Sequence, residues 1–110
     1  MGKKKLMTII EFFRVQCEDS GIPVDKIILF GSQMKKTATN DSDIDVVIIS
    51  KKFRRKDLWA RLELLREPVC TTIDKFVVPL EVIAMTPEDL EKRGSPLSGF
   101  ARDGVVVWAA

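Results

Sequence analysis

The apolar residues Leu6, Ile9, Ile10, Phe13 and Cys17 recur at helical spacing, which predicts an amphipathic helix over about residues 4–20. Gly21 and Pro23 end it, since one favours a left-handed cap and the other cannot continue a helix. Residues 26–30 read as a short buried strand, residues 32–37 as the start of a helix, and residues 38–42 as a polar loop. The clearest strand covers residues 43–50, where Ile44, Val46, Val47, Ile48 and Ile49 are nearly all β-branched. A run so continuously apolar predicts a central strand covered on both faces.

Beyond a basic run at 51–56, Leu58, Leu62 and Leu65 mark a second amphipathic helix, expected to fade near Pro68. Trp59 is expected to be partly buried on it. Residues 69–78 fit either helix or strand. Leu80-Glu81-Val82-Ile83-Ala84 reads as a strand, and Thr86-Pro87-Glu88-Asp89 as a helix start with a Thr cap, Pro in the first turn and acids behind it. A last short helix over about 96–102 precedes apolar residues 105–108, which form either a final sheet strand or a contact surface. These elements predict an α/β (α+β) fold: a small mixed sheet flanked by helices, one domain over residues 1–110.

Composition narrows the chemistry. With 110 residues and 45% hydrophobic content, the chain can bury a sheet and a few helices but not a second substrate domain. A net charge of +2 is too small for a polybasic nucleic-acid binder, and Lys3 to Lys5 and Arg54-Arg55-Lys56 read as solvated charge. The chain has no histidine, which excludes Ser-His-Asp and Cys-His catalysis and His-ligated zinc hydrolysis. Proton transfer then falls to carboxylates, lysine, metal-bound water or the substrate itself. Cys17 lies on the apolar stripe and reads as a buried free thiol. Glu11 and Arg14 interrupt the segment after the basic start, and no stretch approaches the roughly 18 apolar residues of a membrane span, so a cytoplasmic protein is expected.

Asp43 and Asp45 stand two apart on the strand pattern, so both carboxylates share one face while Ile44 points to the other. Their Cα atoms are about 6.6 Å apart at strand rise. Carboxylates so spaced can converge on metals about 3.5–4 Å apart, the arrangement of two-metal phosphoryl transfer, and Mg²⁺ is the natural occupant. Like charges held this close raise each other's pKa, so a divalent cation is expected to settle the pair. An EF-hand is excluded: Asp41, Asp43 and Asp45 fit its first, third and fifth positions, but Val46 replaces the glycine and Lys52 the final glutamate. Gly31-Ser32, at the end of the strand at 26–30, offers backbone N–H groups and a hydroxyl to a phosphate; alone it is an ordinary turn, and it matches neither a Walker A nor a dinucleotide loop.

Gly31-Ser32, ten residues, then Asp43-Ile44-Asp45 resembles the signature of the DNA polymerase β-type nucleotidyltransferases. With Thr86-Pro87-Glu88 and Gly94-Ser95-Pro96-Leu97 near the end, the chain resembles the minimal nucleotidyltransferases in particular. The resemblance implies transfer of a nucleoside monophosphate, from ATP above all, with pyrophosphate release and two Mg²⁺ ions. By position it implies that Gly31 and Ser32 contact the triphosphate, Lys35 assists them, Asp43 and Asp45 bind metal, and Glu81 is the third metal-binding carboxylate. Lys36 departs from the pattern, where a turn glycine is usual. Minimal nucleotidyltransferases commonly pair with an all-helical HEPN-type protein as a toxin–antitoxin system, so the resemblance implies an antitoxin that adenylylates its partner. The alternatives are transfer to a small molecule, as in antibiotic nucleotidyltransferases, and a non-catalytic nucleotide-binding partner protein.

Overall fold

The computed structural model describes residues 2–30, 43–92, 99, 101 and 103–110. Helix α1 spans Lys3–Asp19 and buries the predicted stripe, with Ile9 and Cys17 fully enclosed. Strand β1 is Lys26–Phe30 and strand β2 is Ile44–Ile49, followed by a 3-10 turn at Lys51–Phe53. Helix α2 covers Leu58–Phe76, strand β3 Leu80–Met85, helix α3 Pro87–Glu91 and strand β4 Val105–Ala109. The strand order is β3-β2-β1-β4; β2 and β3 are parallel and the other pairs antiparallel. The mixed α/β sheet flanked by helices is therefore present, with the apolar tail at 105–109 as a strand. Gly99 and Ala101 have helical backbone within the short helix expected over about 96–102, and Asp103 has it just beyond.

The two faces of the sheet are covered unequally. Ile44, Val46 and Ile48 of β2 face the larger apolar cluster, built with α1 and α2. Val47 and Ile49 face a smaller cluster with Ile28, Met85 and Ala101, against which Phe30, Ile83 and Leu90 pack. Strand β2 is thus central and enclosed on both sides, as its unbroken apolar run requires. The chain enters β4 through Gly104, where a Cβ would lie 2.7 Å from the Leu29 carbonyl oxygen, so only glycine allows this approach to β1.

Two expectations need correction. Helix α2 does not fade at Pro68 but continues through it to Phe76, resolving residues 69–76 as helix. Proline deletes one N–H and crowds the preceding turn. Here Pro68 is buried, and Val69, Ile73 and Phe76 continue the stripe onto the core, so packing outweighs the local defect. Trp59 is not partly buried: it is 77% exposed, because it lies on the flank of α2 turned away from the core that Leu65 and Thr72 enter.

Helix ends are satisfied locally. Asp57 caps α2 by accepting from the Ala60 N–H at 2.8 Å. Thr86 and Asp89 form a reciprocal capping box on α3, and Arg61 ties that helix to α2 through Asp89 at 2.8 Å. Arg54, on the solvated basic run, makes a surface ion pair with Glu88. Burial pushes the Cys17 thiol up to about 12, which keeps it unreactive.

Val77 ends α2 in the left-handed conformation, at φ 53° and ψ 50°, with its side chain 84% exposed. A β-branched residue is strained there and packs against little in return. Val77→Gly is expected to stabilise the protein by about 1 kcal/mol, read as a rise in the urea midpoint at unchanged slope.

Candidate active site

Parallel pairing of β2 with β3 sets Ile44 opposite Leu80 and Asp45 opposite Glu81. The Ile44 N–H donates to the Pro79 carbonyl at 2.9 Å and fixes that register at the start of both strands. Asp43 stands one residue before β2 and shares the Asp45 face by strand alternation. Carboxylate oxygens of Asp43, Asp45 and Glu81 consequently all lie within 4.8 Å of one another. The three acids occupy the more thinly covered face, beyond the end of the cluster containing Val47 and Ile83. Asp74, the last acid before β3 and the alternative to Glu81 for the third place, is exposed on α2 and outside the group.

Strand β1 ends beside the same acids, for its last residue, Phe30, pairs with Asp45. Phe30 is half-buried against the smaller cluster. In the sequence it reads as a core residue of the strand at 26–30, and its only signal as a site neighbour is its place just before Gly31. Gly31, Ser32 and Lys35 lie outside the described residues, as do Gly94 to Leu97 and the expected helix and loop at 32–42.

Electrostatics within the cluster agree with a cation seat. The Asp45 carboxyl is pushed up to about 6, first by burial, then by its hydrogen bond to Glu81 and the negative charges of Glu81 and Asp43. Three convergent carboxylates are hard oxygen donors that suit Mg²⁺, which keeps water and phosphate oxygens in its remaining positions. The donor set therefore fits the metal that this arrangement of acids implies.

Stability should depend on pH through this group. The folded-state pKa of Asp45 lies above its ordinary value of 3.8, so ionised Asp45 destabilises the metal-free fold. That penalty is absent below about pH 4, grows as the pH rises, and is complete above about pH 6. Asp45→Asn, which keeps a donor for Glu81, is expected to stabilise the protein in chelator at neutral pH by on the order of 1–2 kcal/mol, less than the full shift would give because solvent screens a half-buried carboxylate. Thermal melts should show Tm raised by about 5–10 °C at pH 7.5 and a difference that disappears near pH 4. An equal gain at both pH values would remove the charge from the explanation.

Among the described residues, no helix is long and apolar enough to cross a membrane.

Comparison with known proteins agrees with this geometry. The profile of the nucleotidyltransferase domain family matches residues 9–103. A protein of Methanocaldococcus jannaschii, provisionally named a protein adenylyltransferase, is 32% identical over 91 residues, or 82% of this chain. The chain spans 61% of that relative's length. Among solved structures, a toxin–antitoxin complex with AMP-PNP superposes with a TM-score of 0.61 at 21% identity, over 94% of this chain and 73% of that one. A provisionally named nucleotidyltransferase from Sulfolobus solfataricus gives 0.60 at 15% identity, over 99% and 90% of the two chains. A mutant of the toxin–antitoxin MntA-HpeT gives 0.55 at 15% identity, over 100% and 75%. At these identities the structures speak to the fold, whereas the family profile spans most of the chain and includes all three clustered acids. The chain belongs to the nucleotidyltransferase domain family.

Proposed function

We propose that this nucleotidyltransferase moves AMP from ATP to a hydroxyl of a partner protein, as the antitoxin of a toxin–antitoxin pair. The observation that carries this reading is the convergence of Asp43, Asp45 and Glu81 within 4.8 Å at the end of β1. Mg²⁺ held by these carboxylates would neutralise the triphosphate and polarise the α-phosphate. Asp43 and Asp45 position the α-phosphate. Glu81, at the exposed edge of the cluster, takes the proton of the acceptor hydroxyl as its oxygen bonds to the α-phosphorus and pyrophosphate departs. Ser32 and the amides that follow Gly31 hold the β- and γ-phosphates, with Lys35 adding positive charge. Holding these groups in place, rather than covalent chemistry, supplies most of the acceleration.

The adenylyl donor is supported by the provisional name of the M. jannaschii relative and by AMP-PNP in one structural neighbour. The toxin partner is supported by two toxin–antitoxin neighbours, and an all-helical HEPN-type protein is the kind we propose. The reaction belongs in the cytoplasm, where ATP and Mg²⁺ are at hand. The test incubates the protein with Mg²⁺ and each α-labelled nucleoside triphosphate, with and without a helical partner encoded beside it. Label from ATP on the partner, lost in chelator, is the expected result. Label on a small molecule, or nucleotide binding without transfer, would overturn it.

A further inference from the structure

The outward side of α2 carries apolar surface that the fold leaves open. Leu58, Trp59 and Leu62 are 64%, 77% and 42% exposed, although they follow one another at helical spacing. They adjoin a groove of about 480 Å³ between α2 and β3, floored by Leu65 and Val82 and reaching Val69 and Cys70. A tryptophan this exposed beside an apolar groove marks a contact surface.

The charges on the groove's edge indicate what covers it. Glu63 and Arg66 are both 74% exposed, and their mutual separation of 3.8 Å makes a weak surface pair. In a two-fold antiparallel pairing of α2 with itself, facing residue numbers add to a constant. Setting Glu63 against Arg66 of a second copy therefore sets Arg66 against the second Glu63, making two ion pairs from one register. The same register places Trp59 opposite Cys70 of the second copy, over the far end of the groove. Leu62 then lies opposite Glu67 of the other copy and is flanked by the aliphatic stem of that copy's Arg66. A parallel pairing would instead set Glu63 on Glu63 and Arg66 on Arg66, so the charges select the antiparallel one.

We infer that two copies of this chain pair through antiparallel α2 helices, each Trp59 filling the other's groove near Cys70. Glu81 follows α2 by only a few residues, beyond its C-terminal end. The two acid clusters therefore lie at opposite ends of the paired helices, and both stay open to substrate. The pairing is independent of the proposed transfer reaction.

Sedimentation velocity of the whole chain, from about 1 to about 100 μM, is expected to show a monomer–dimer equilibrium. Trp59→Glu should weaken it at least about tenfold while circular dichroism stays unchanged, since the side chain is already exposed. Glu63→Arg and Arg66→Glu should each weaken pairing, and the two together should restore it. Trp59→Cys supplies a register test. Residues 59 and 70 of one chain are about 16 Å apart along the helix, too far for an internal disulfide. Oxidation should link Trp59→Cys to Cys70 of the second copy, and Cys70→Ser should abolish that covalent dimer. A chain that stays monomeric at about 100 μM overturns the inference. So does a dimer indifferent to these substitutions, or a monomer that uses Trp59 to bind a helix of another protein.

Discussion

Replacing Asp43 and Asp45 together by alanine is expected to lower nucleotidyl transfer by at least about a thousandfold and to abolish Mg²⁺-dependent nucleotide binding. The two carboxylates are two of the three groups that converge within 4.8 Å, and their loss leaves one acid where the proposed metal seat needs several. The loss should not come from unfolding. Asp43 is exposed, and the raised pKa of Asp45 means that its ionised form opposes folding, so the double variant should melt no lower than the parent in chelator. Stability and function therefore move in opposite directions at this site, as expected where like charges are held together for a ligand. Calorimetry supplies the check. Undiminished Mg²⁺–ATP binding by the double variant would remove these two residues from the site.

Local periodicity carried the elements of the fold, and non-local packing decided what it left open. The alternation around Asp43-Ile44-Asp45 and in Leu80-Glu81-Val82 was legible because a strand has only two faces, so one apolar residue assigns its neighbours. The capping box at Thr86 was legible because its partners are three residues apart. Continuation of α2 beyond Pro68 was not, since the core that Ile73 and Phe76 join is built largely by distant segments such as α1 and β2. Trp59 failed for a related reason: a helical stripe shows which side is apolar, but not how wide a surface the rest of the chain provides to cover it. The site was legible in its acids and their order. Their convergence with β1 depends on Phe30 pairing with Asp45, a register that no spacing within the sequence encodes.

Glu81→Gln is expected to reduce transfer by at least about a hundredfold, whereas Asp74→Asn should leave it near the parent level. Both acids follow β2 and precede Thr86, so order along the chain does not separate them. Position in the fold does. Glu81 sits in β3 opposite Asp45, contributes an oxygen to the cluster, and hydrogen-bonds the Asp45 carboxyl. Asp74 is exposed near the end of α2, beside Lys75, on an element whose core-facing side packs on the opposite face of the sheet. The glutamine keeps the shape and hydrogen-bonding reach of Glu81 but removes its charge and its capacity to accept a proton. Transfer should therefore fall through kcat, with a smaller change in nucleotide binding, because Asp43 and Asp45, the other two acids of the proposed metal seat, remain. A glutamate that only stabilised the strand edge would give the reverse, an altered melting temperature with kcat preserved. If Asp74→Asn abolished transfer and Glu81→Gln did not, the register of β3 on β2 would not be the arrangement that performs the chemistry.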